Sequence, residues 1–282
     1  SVCFHGTGLA ILNTNLLDAT KDYQVTFKSS PLGRQSHGYN ANNSFLLNLN
    51  GERAFICSGN RDLYGSPHHS RWMWETKSDN AILVNGKGQG VHSPTAQGAI
   101  LAFETSPDID VIVGEAAKSY KDVDRWTRRL IFIKPHAILI HDILDTPEEA
   151  DFAWLLHAIG PFTIGGQTAT WNGAAGLVTV RFLAPESLTI SQTDRFETPP
   201  ADFLKLNWKE SHLRAESVEK TKHMEFLTLI ELPGARLQEK HKIGKKSKID
   251  VALPNDNVRI DLARKNFKVE AKRFSKSFTD AP

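Results

Sequence analysis

Residues 44–56 read SFLLNLNGERAFI, and this short run decides the fold. Apolar and polar positions alternate on both sides of Asn50-Gly51. Asn-Gly supplies the two positive φ values of a type I′ turn, so the run predicts a hairpin with strands at Leu46–Asn50 and Glu52–Ile56. Asn85-Gly86 and Asn172-Gly173 repeat the signal beside other alternating runs. Working outward, two-residue periodicity marks strands at Gln24–Phe27, Ser44–Leu49, Ala81–Val84, Ile100–Phe103 and Ile109–Val113. It resumes at Leu130–Ile133, Ala137–His141, Phe152–His157, Val178–Phe182 and Leu188–Gln192. The last group is Glu225–Glu231, Val258–Leu262 and Phe267–Ala271. Helical periodicity is weak throughout, and WKESHLRAESVEK reads as an exposed strand with its connections. The fold class predicted is all-β: a multi-sheet antiparallel β-sandwich with few short helices.

Around the hairpin, the stretch Ser36–Gln89 concentrates groups able to do chemistry. His37 stands at a loop–strand junction, where an imidazole titrating near neutrality suits proton transfer. Tyr39 shares its face if the segment is extended, and Asn40 and Asn42 add amide donors and acceptors. After the hairpin, the loop SGNRDLYGSPHHSRWMW carries Arg61, Tyr64, His68, His69, Arg71, Trp72 and Trp74, with Lys77 just beyond. Read as extended chain, the loop puts both indoles on one face, which fits either core packing or a sugar-stacking platform. His68 and His69 then point to opposite sides and do not chelate one metal together. His157, at the end of the WLLH run, reads as sheet interior.

The rest of the chain narrows the classes. It holds 282 residues, 40% hydrophobic and 23% charged, with a net charge of +2. That charge is too small to point to nucleic acid, and no apolar run reaches the ~20 residues of a membrane span. Cys3 and Cys57 make no disulfide framework and no Cys-type zinc spacing. Ser1 leads directly into VCFHGTGLAIL, which reads as a piece of a longer chain. Residues 1–160 are predicted as a main β-sandwich carrying the site-bearing stretch. Residues 161–282 are predicted as a continuing or smaller C-terminal β-layer, after a glycine-rich seam at Gly160–Gly173. KHKIGKKSK, Lys240–Lys248, reads as a solvated loop.

Three motifs in order, SHGYNANNSF, then SGNRDLYGSPHH, then TKSDNAILVNGKGQ, resemble the β-sheet domain of the heparinase II/III-like polysaccharide lyases. Within them the likeness is to the branch of alginate and oligosaccharide lyases. The likeness is strong over Ser30–Gln89 and looser through RRLIFIKPHAILIHDIL and DFAWLLH. It implies a two-part enzyme, an α/α toroid followed by a β-sandwich with the active cleft between them, exported to the periplasm or beyond the cell. It also implies uronate-containing polysaccharide substrates cleaved by β-elimination. A base takes the C5 proton, a cation or amide neutralises the adjacent carboxylate, and an acid protonates the leaving O4. By this resemblance His37 is the catalytic histidine offered by the β-domain, with Tyr39 beside it. Arg61, Arg71 or Lys77 would meet the carboxylate. A second Tyr and His come from the toroid, which this chain lacks.

The sequence departs from the family where many relatives hold a structural zinc. Tyr39, Cys57 and Asp79 stand at those positions, and Ala41 replaces an aspartate. No zinc or other cofactor is therefore expected. The partners implied are an acidic polysaccharide and the absent N-terminal domain, with no nucleic acid. The competing reading is a non-catalytic carbohydrate-binding sandwich that uses an aromatic face.

Overall fold

The computed structural model describes residues 1–32, 41–59, 62–201, 209–244 and 246–280. The strands among these residues form three antiparallel sheets. The first is built from β1 (Val2–Phe4), β2 (Leu9–Asn13), β3 (Tyr23–Lys28), β4 (Ser44–Leu49), β5 (Glu52–Phe55) and β6 (Ile82–Val84). It is completed by β11 (Phe152–Ile159), β15 (Leu188–Thr193) and β16 (Glu210–Ser217), in the order β1-β2-β3-β4-β5-β11-β16-β15, with β6 also pairing β11. The second contains β7 (Ala99–Thr105), β8 (Ile109–Glu115), β9 (Arg125–Ile133), β10 (Ala137–Ala150), β12 (Phe162–Gly165), β13 (Thr168–Gly173), β14 (Gly176–Ala184) and β17 (Thr221–Glu231). The third is a five-stranded meander, β18 (Gln238–Lys242), β19 (Lys246–Ala252), β20 (Asn257–Ala263), β21 (Asn266–Ala271) and β22 (Phe274–Thr279).

The second sheet is the middle layer, and its sequence shows why. Even-numbered residues of β9 and β10, among them Leu130, Phe132, Ile138 and Ile140, pack against Phe45, Leu47, Trp154 and Leu156 of the first sheet. Odd-numbered residues, among them Ile131, Ile133 and Leu139, pack against Ile249, Ile260, Leu262 and Phe267 of the third. Strands covered on both faces read as continuous apolar runs rather than alternating ones. RRLIFI and AILIHDIL are such runs, and nearly all of β9 and β10 as far as Leu144 is buried.

The all-β expectation holds, with every strand expected from periodicity present. Asn50-Gly51 and Asn85-Gly86 take the positive φ values their turns require, 53° and 85°, 50° and 69°. Several details differ. WKESHLRAESVEK contains β16, which lies inside the first sheet between β11 and β15, so Ser211, His212 and Leu213 are buried rather than exposed. Lys240–Lys248 is not a loop but most of β18 and the start of β19, whose alternation is hidden among lysines. Both large sheets mix strands from either side of Gly160, and the expected seam at Gly160–Gly173 is the hairpin β12–β13. The separate layer begins later, with β18. No helix among the described residues is long and apolar enough to cross a membrane.

Candidate functional site

The loop after β5 leaves and re-enters at the same strand. Ile56 N–H donates to His157 O (3.0 Å), and Leu155 N–H donates to Ala81 O (2.9 Å), so both ends are tied to β11. Ser58 N–H to Ser78 O (2.7 Å) closes the neck. Inside, the Asp62 carboxylate accepts from Leu63 N–H (2.7 Å) and Ser66 Oγ (2.9 Å), and Ser66 Oγ accepts from His69 N–H (3.1 Å). These local bonds start a single π-type turn, His69–Met73. The turn overrides the extended chain expected from the Trp-x-Trp pattern. The two indoles therefore do not share a face.

Trp72 points inward and is 4% exposed. Its ring packs edge-on against Phe196 (5.3 Å) and His212 (4.9 Å), and its Nε1–H donates to Ser58 Oγ (3.1 Å). Ser58 Oγ in turn donates to Glu210 Oε2 (2.8 Å), which also accepts Gly59 N–H (2.9 Å). Gly59 is required here: its φ is +116°, and a Cβ would lie 2.7 Å from Met73 Cγ. His212 Nδ1 and His157 Nδ1 are 3.0 Å apart, so one ring carries the proton and the other accepts it. Burial pushes His157 down to about 3, with His212 adding to the effect, and burial pushes His212 down to about 4. His68, also buried, donates from Nδ1 to Thr198 O (2.6 Å). This inner layer is a buried, hydrogen-bonded floor.

Trp74 points the other way. It meets His69 (4.8 Å), Tyr64 (5.8 Å) and His92 (4.4 Å), ring centre to ring centre. Tyr64 is 69% exposed, and Arg71 on the same turn is exposed. Gly65 N–H donates to His69 Nδ1 (2.9 Å), which leaves the neutral ring's proton on Nε2. This outer layer is a partly open group of three rings around an indole, the kind of surface that stacks on sugar faces.

A third pair lies beside them. Cys57 Sγ donates to Asp79 Oδ1 (3.2 Å). Asp79 is 3% exposed, and burial raises its carboxyl to about 7 against the pull of Cys57 and Lys28. Cys57 is exposed at its surface yet ringed by protein on its other sides, and burial together with Asp79 pushes its thiol well up. Lys28 is drawn electrostatically to both groups. A protonated thiol bonded to a carboxylate beside an ammonium is a poor metal donor set. Among the described residues no three His, Cys, Asp or Glu side chains converge to hold a metal ion. Cys57 and Asp79 are two of the three positions at which the family resemblance leads us to expect no zinc, and the third, Tyr39, lies outside the described residues.

His37, Tyr39, Asn40 and Arg61 also lie outside the described residues. The structure brings Tyr64, His69 and Trp74 together. It separates them from His68 and Trp72, which are scaffold. Asn42 is buried, with its amide donating to Ser119 Oγ (2.8 Å) and Ala96 O (3.3 Å) and accepting from Ser30 N–H (2.8 Å), which leaves no donor for a ligand. Lys77 is held by Glu197 (2.6 Å) and Glu75 (3.2 Å). Residues missed from sequence are Ser58, Glu210, His212 and Phe196 beneath the loop, and His92 in the ring group. Only His212 had a sequence signal, as the polar member of an alternating run.

The model of the family described as heparinase II/III-like, C-terminal, matches residues 2–226. The chain belongs to this family. Its fold is that of solved heparinases. A heparinase III gene product superposes with a TM-score of 0.72 at 14% identity, covering 99% of this chain and 42% of that one. The heparan sulfate lyase HepC from Pedobacter heparinus gives 0.71 at 12% identity, covering 92% and 41%. A further heparinase III gives 0.69 at 13% identity, covering 92% and 42%. The chain thus spans about two fifths of the length of these heparinases. No curated protein matches it.

Proposed function

We propose that this chain is the β-domain of an exported, periplasmic or extracellular, polysaccharide lyase that cleaves a uronate-bearing glycan by β-elimination. The supporting observation is the open ring group of Tyr64, His69, Trp74 and His92, held on a rigid floor in a heparinase II/III-like β-domain. Tyr64 is exposed and Trp74, His69 and His92 are half-buried beside it, a partly open aromatic surface that a sugar face can cover. Trp74 and Tyr64 stack on sugar faces, while the Arg71 guanidinium meets a uronate carboxylate. Lys77 is excluded from that task because two carboxylates already hold its charge. His37 and Tyr39 exchange protons with the substrate, one removing the C5 proton and the other serving the leaving O4. The C4–O4 bond breaks as the C4–C5 double bond forms. Asn40 and Arg61 complete the contacts. No metal takes part, and the second bank of the groove comes from the rest of the parent chain.

The test follows unsaturated-uronate absorbance when the full-length parent is given alginate, heparosan or chondroitin. Absorbance should rise on one of them, and His37→Ala should lower the rate by about 10²–10⁴-fold. No rise on any of the three, with His37→Ala indistinguishable from wild type, ends this reading.

A further inference from the structure

The third sheet carries a charge pattern that the candidate groove does not use. Residues 236–282 hold thirteen Lys and Arg against six Asp and Glu, a balance of +7. The chain as a whole is +2, which leaves −5 for residues 1–235. The excess is not spread evenly over the added layer. Ile249, Val251, Ile260, Leu262, Phe267 and Val269 face the second sheet, so by alternation Lys246, Lys248, Arg259 and Lys268 face away from it. The register then aligns Lys242, Lys248, Asp261, Lys268 and Ser277 as one row across all five strands.

Three acids share this face, and each is paired: Asp250 with Arg259 (2.9 Å), Asp261 with Lys248 (3.7 Å) and Glu270 with Lys268 (2.6 Å). Lys240, Lys242 and Lys246 have no ion-pair partner among the described residues and are exposed. Edge lysines commonly guard a sheet against aggregation. That account does not cover Lys246, Lys248 and Lys268, which stand on the interior strands β19 and β21. The face is also concave. A recess of about 470 Å3 is lined by Lys246, Lys248, Asn266, Lys268 and Ser277, with Asp261 and the buried Leu262, Phe267 and Phe278 in its wall. The aromatic residues of this sheet, Phe267, Phe274 and Phe278, all turn inward. Without a ring on the outer face, bases have nothing to stack on, which disfavours single-stranded nucleic acid.

We propose that this outer face is a second binding surface for an anionic polysaccharide, on the far side of the middle sheet from the candidate groove. Carboxylates or sulfates along the glycan sit over Lys240, Lys242 and Lys246, and hydroxyls meet Asn266 and Ser277. The surface holds a chain that the groove on the first sheet cuts, so the choice of occupant rests on the function proposed above.

The test uses the full chain on immobilised heparin, in affinity gels containing alginate or dextran, and with duplex DNA. Lys240→Ser, Lys242→Ser and Lys246→Ser are combined in one variant. A charge-matched control combines Lys87→Ser, Lys118→Ser and Lys121→Ser, and circular dichroism confirms that both fold. Heparin and alginate should retain wild type and control, dextran should not, and the first variant should bind roughly tenfold or more weakly. Restoring charge with Arg at the three positions should recover binding. Equal binding by the first variant and wild type, equal loss in the control, or tighter binding to DNA than to either glycan overturns the proposal. If the parent releases no unsaturated uronate but heparin binding still depends on these three lysines, the lyase reading falls and this one stands.

Discussion

Arg128 and Asp142 face each other across β9 and β10, and neither side chain exposes any surface. Arg128 Nε and Nη2 donate to the two Asp142 oxygens (2.7 and 3.0 Å). The same carboxylate accepts the indole N–H groups of Trp126 (2.9 Å) and Trp154 (3.1 Å). Arg128 Nη1 donates to Asn43 O (2.7 Å) and Asn80 O (2.8 Å), residues on either side of the candidate loop. The neighbouring pair, Arg129 and His141, faces the third sheet and reaches Asp280 and Glu225. One ladder thus fastens both outer layers to the middle one.

Removing one half of a buried ion pair leaves the other charge stranded, and that costs more than the pair contributes. Arg128→Met should destabilise by about 3–5 kcal/mol in urea unfolding. The double variant Arg128→Met with Asp142→Leu should recover part of that loss. A double variant that loses as much as the two singles added together would show that the pair is not coupled as described.

Trp72 and Trp74 should separate stability from binding. Trp72→Ala empties a packed position and strips Ser58 of its indole donor, so a loss of about 3–5 kcal/mol is expected. Trp74→Ala should cost under about 1 kcal/mol because its ring is partly in water. It should nonetheless weaken oligosaccharide binding severalfold in calorimetry. The reverse pattern would put the sugar platform on the inner indole.

What could be read from sequence was whatever local chemistry decides. Asn50-Gly51 and Asn85-Gly86 turn where they stand because positive φ is a property of those residues. Asn172-Gly173 fails for a reason outside its own strand. Glu52, far away in sequence, accepts the N–H groups of Ala174 (3.0 Å) and Ala175 (2.9 Å) and moves the turn beyond Gly173. Gly173 instead lies under Trp171, where a Cβ would come within 2.1 Å of the ring. The candidate site divides the same way. Its loop was legible from Gly59, Gly65 and the ring-rich composition. The floor was not, since Glu210 and His212 reach Ser58 only through the pairing of β16 with β11.

Asp79 makes neutral pH costly for the fold. Its carboxyl is raised in the folded state to about 7, against an ordinary value near 4. The folded state therefore holds a proton that the unfolded chain releases between those values, and stability is lost as pH rises through that window. Asp79→Asn removes the dependence. Its advantage over wild type should grow between pH 5 and 8 by on the order of 2 kcal/mol. Thermal melts at both pH values measure this. Cys57, with its thiol pushed up by burial and Asp79, should also react slowly with iodoacetamide at pH 7.5, and faster in Asp79→Asn.

His157 and His212 act in the opposite direction. Both are depressed by burial, to about 3 and about 4, while an unfolded histidine titrates near 6.5. Below that value the unfolded chain takes up protons that the folded pair refuses, so stability falls as pH drops from about 6.5 towards 4. Each group contributes a slope of about 1.4 kcal/mol per pH unit inside its window. His212→Gln should keep the contact with Ser58 and flatten the acid limb of the stability profile by about one proton's worth. An unchanged slope in urea titrations between pH 4.5 and 6.5 would show that this imidazole is already charged in the folded protein.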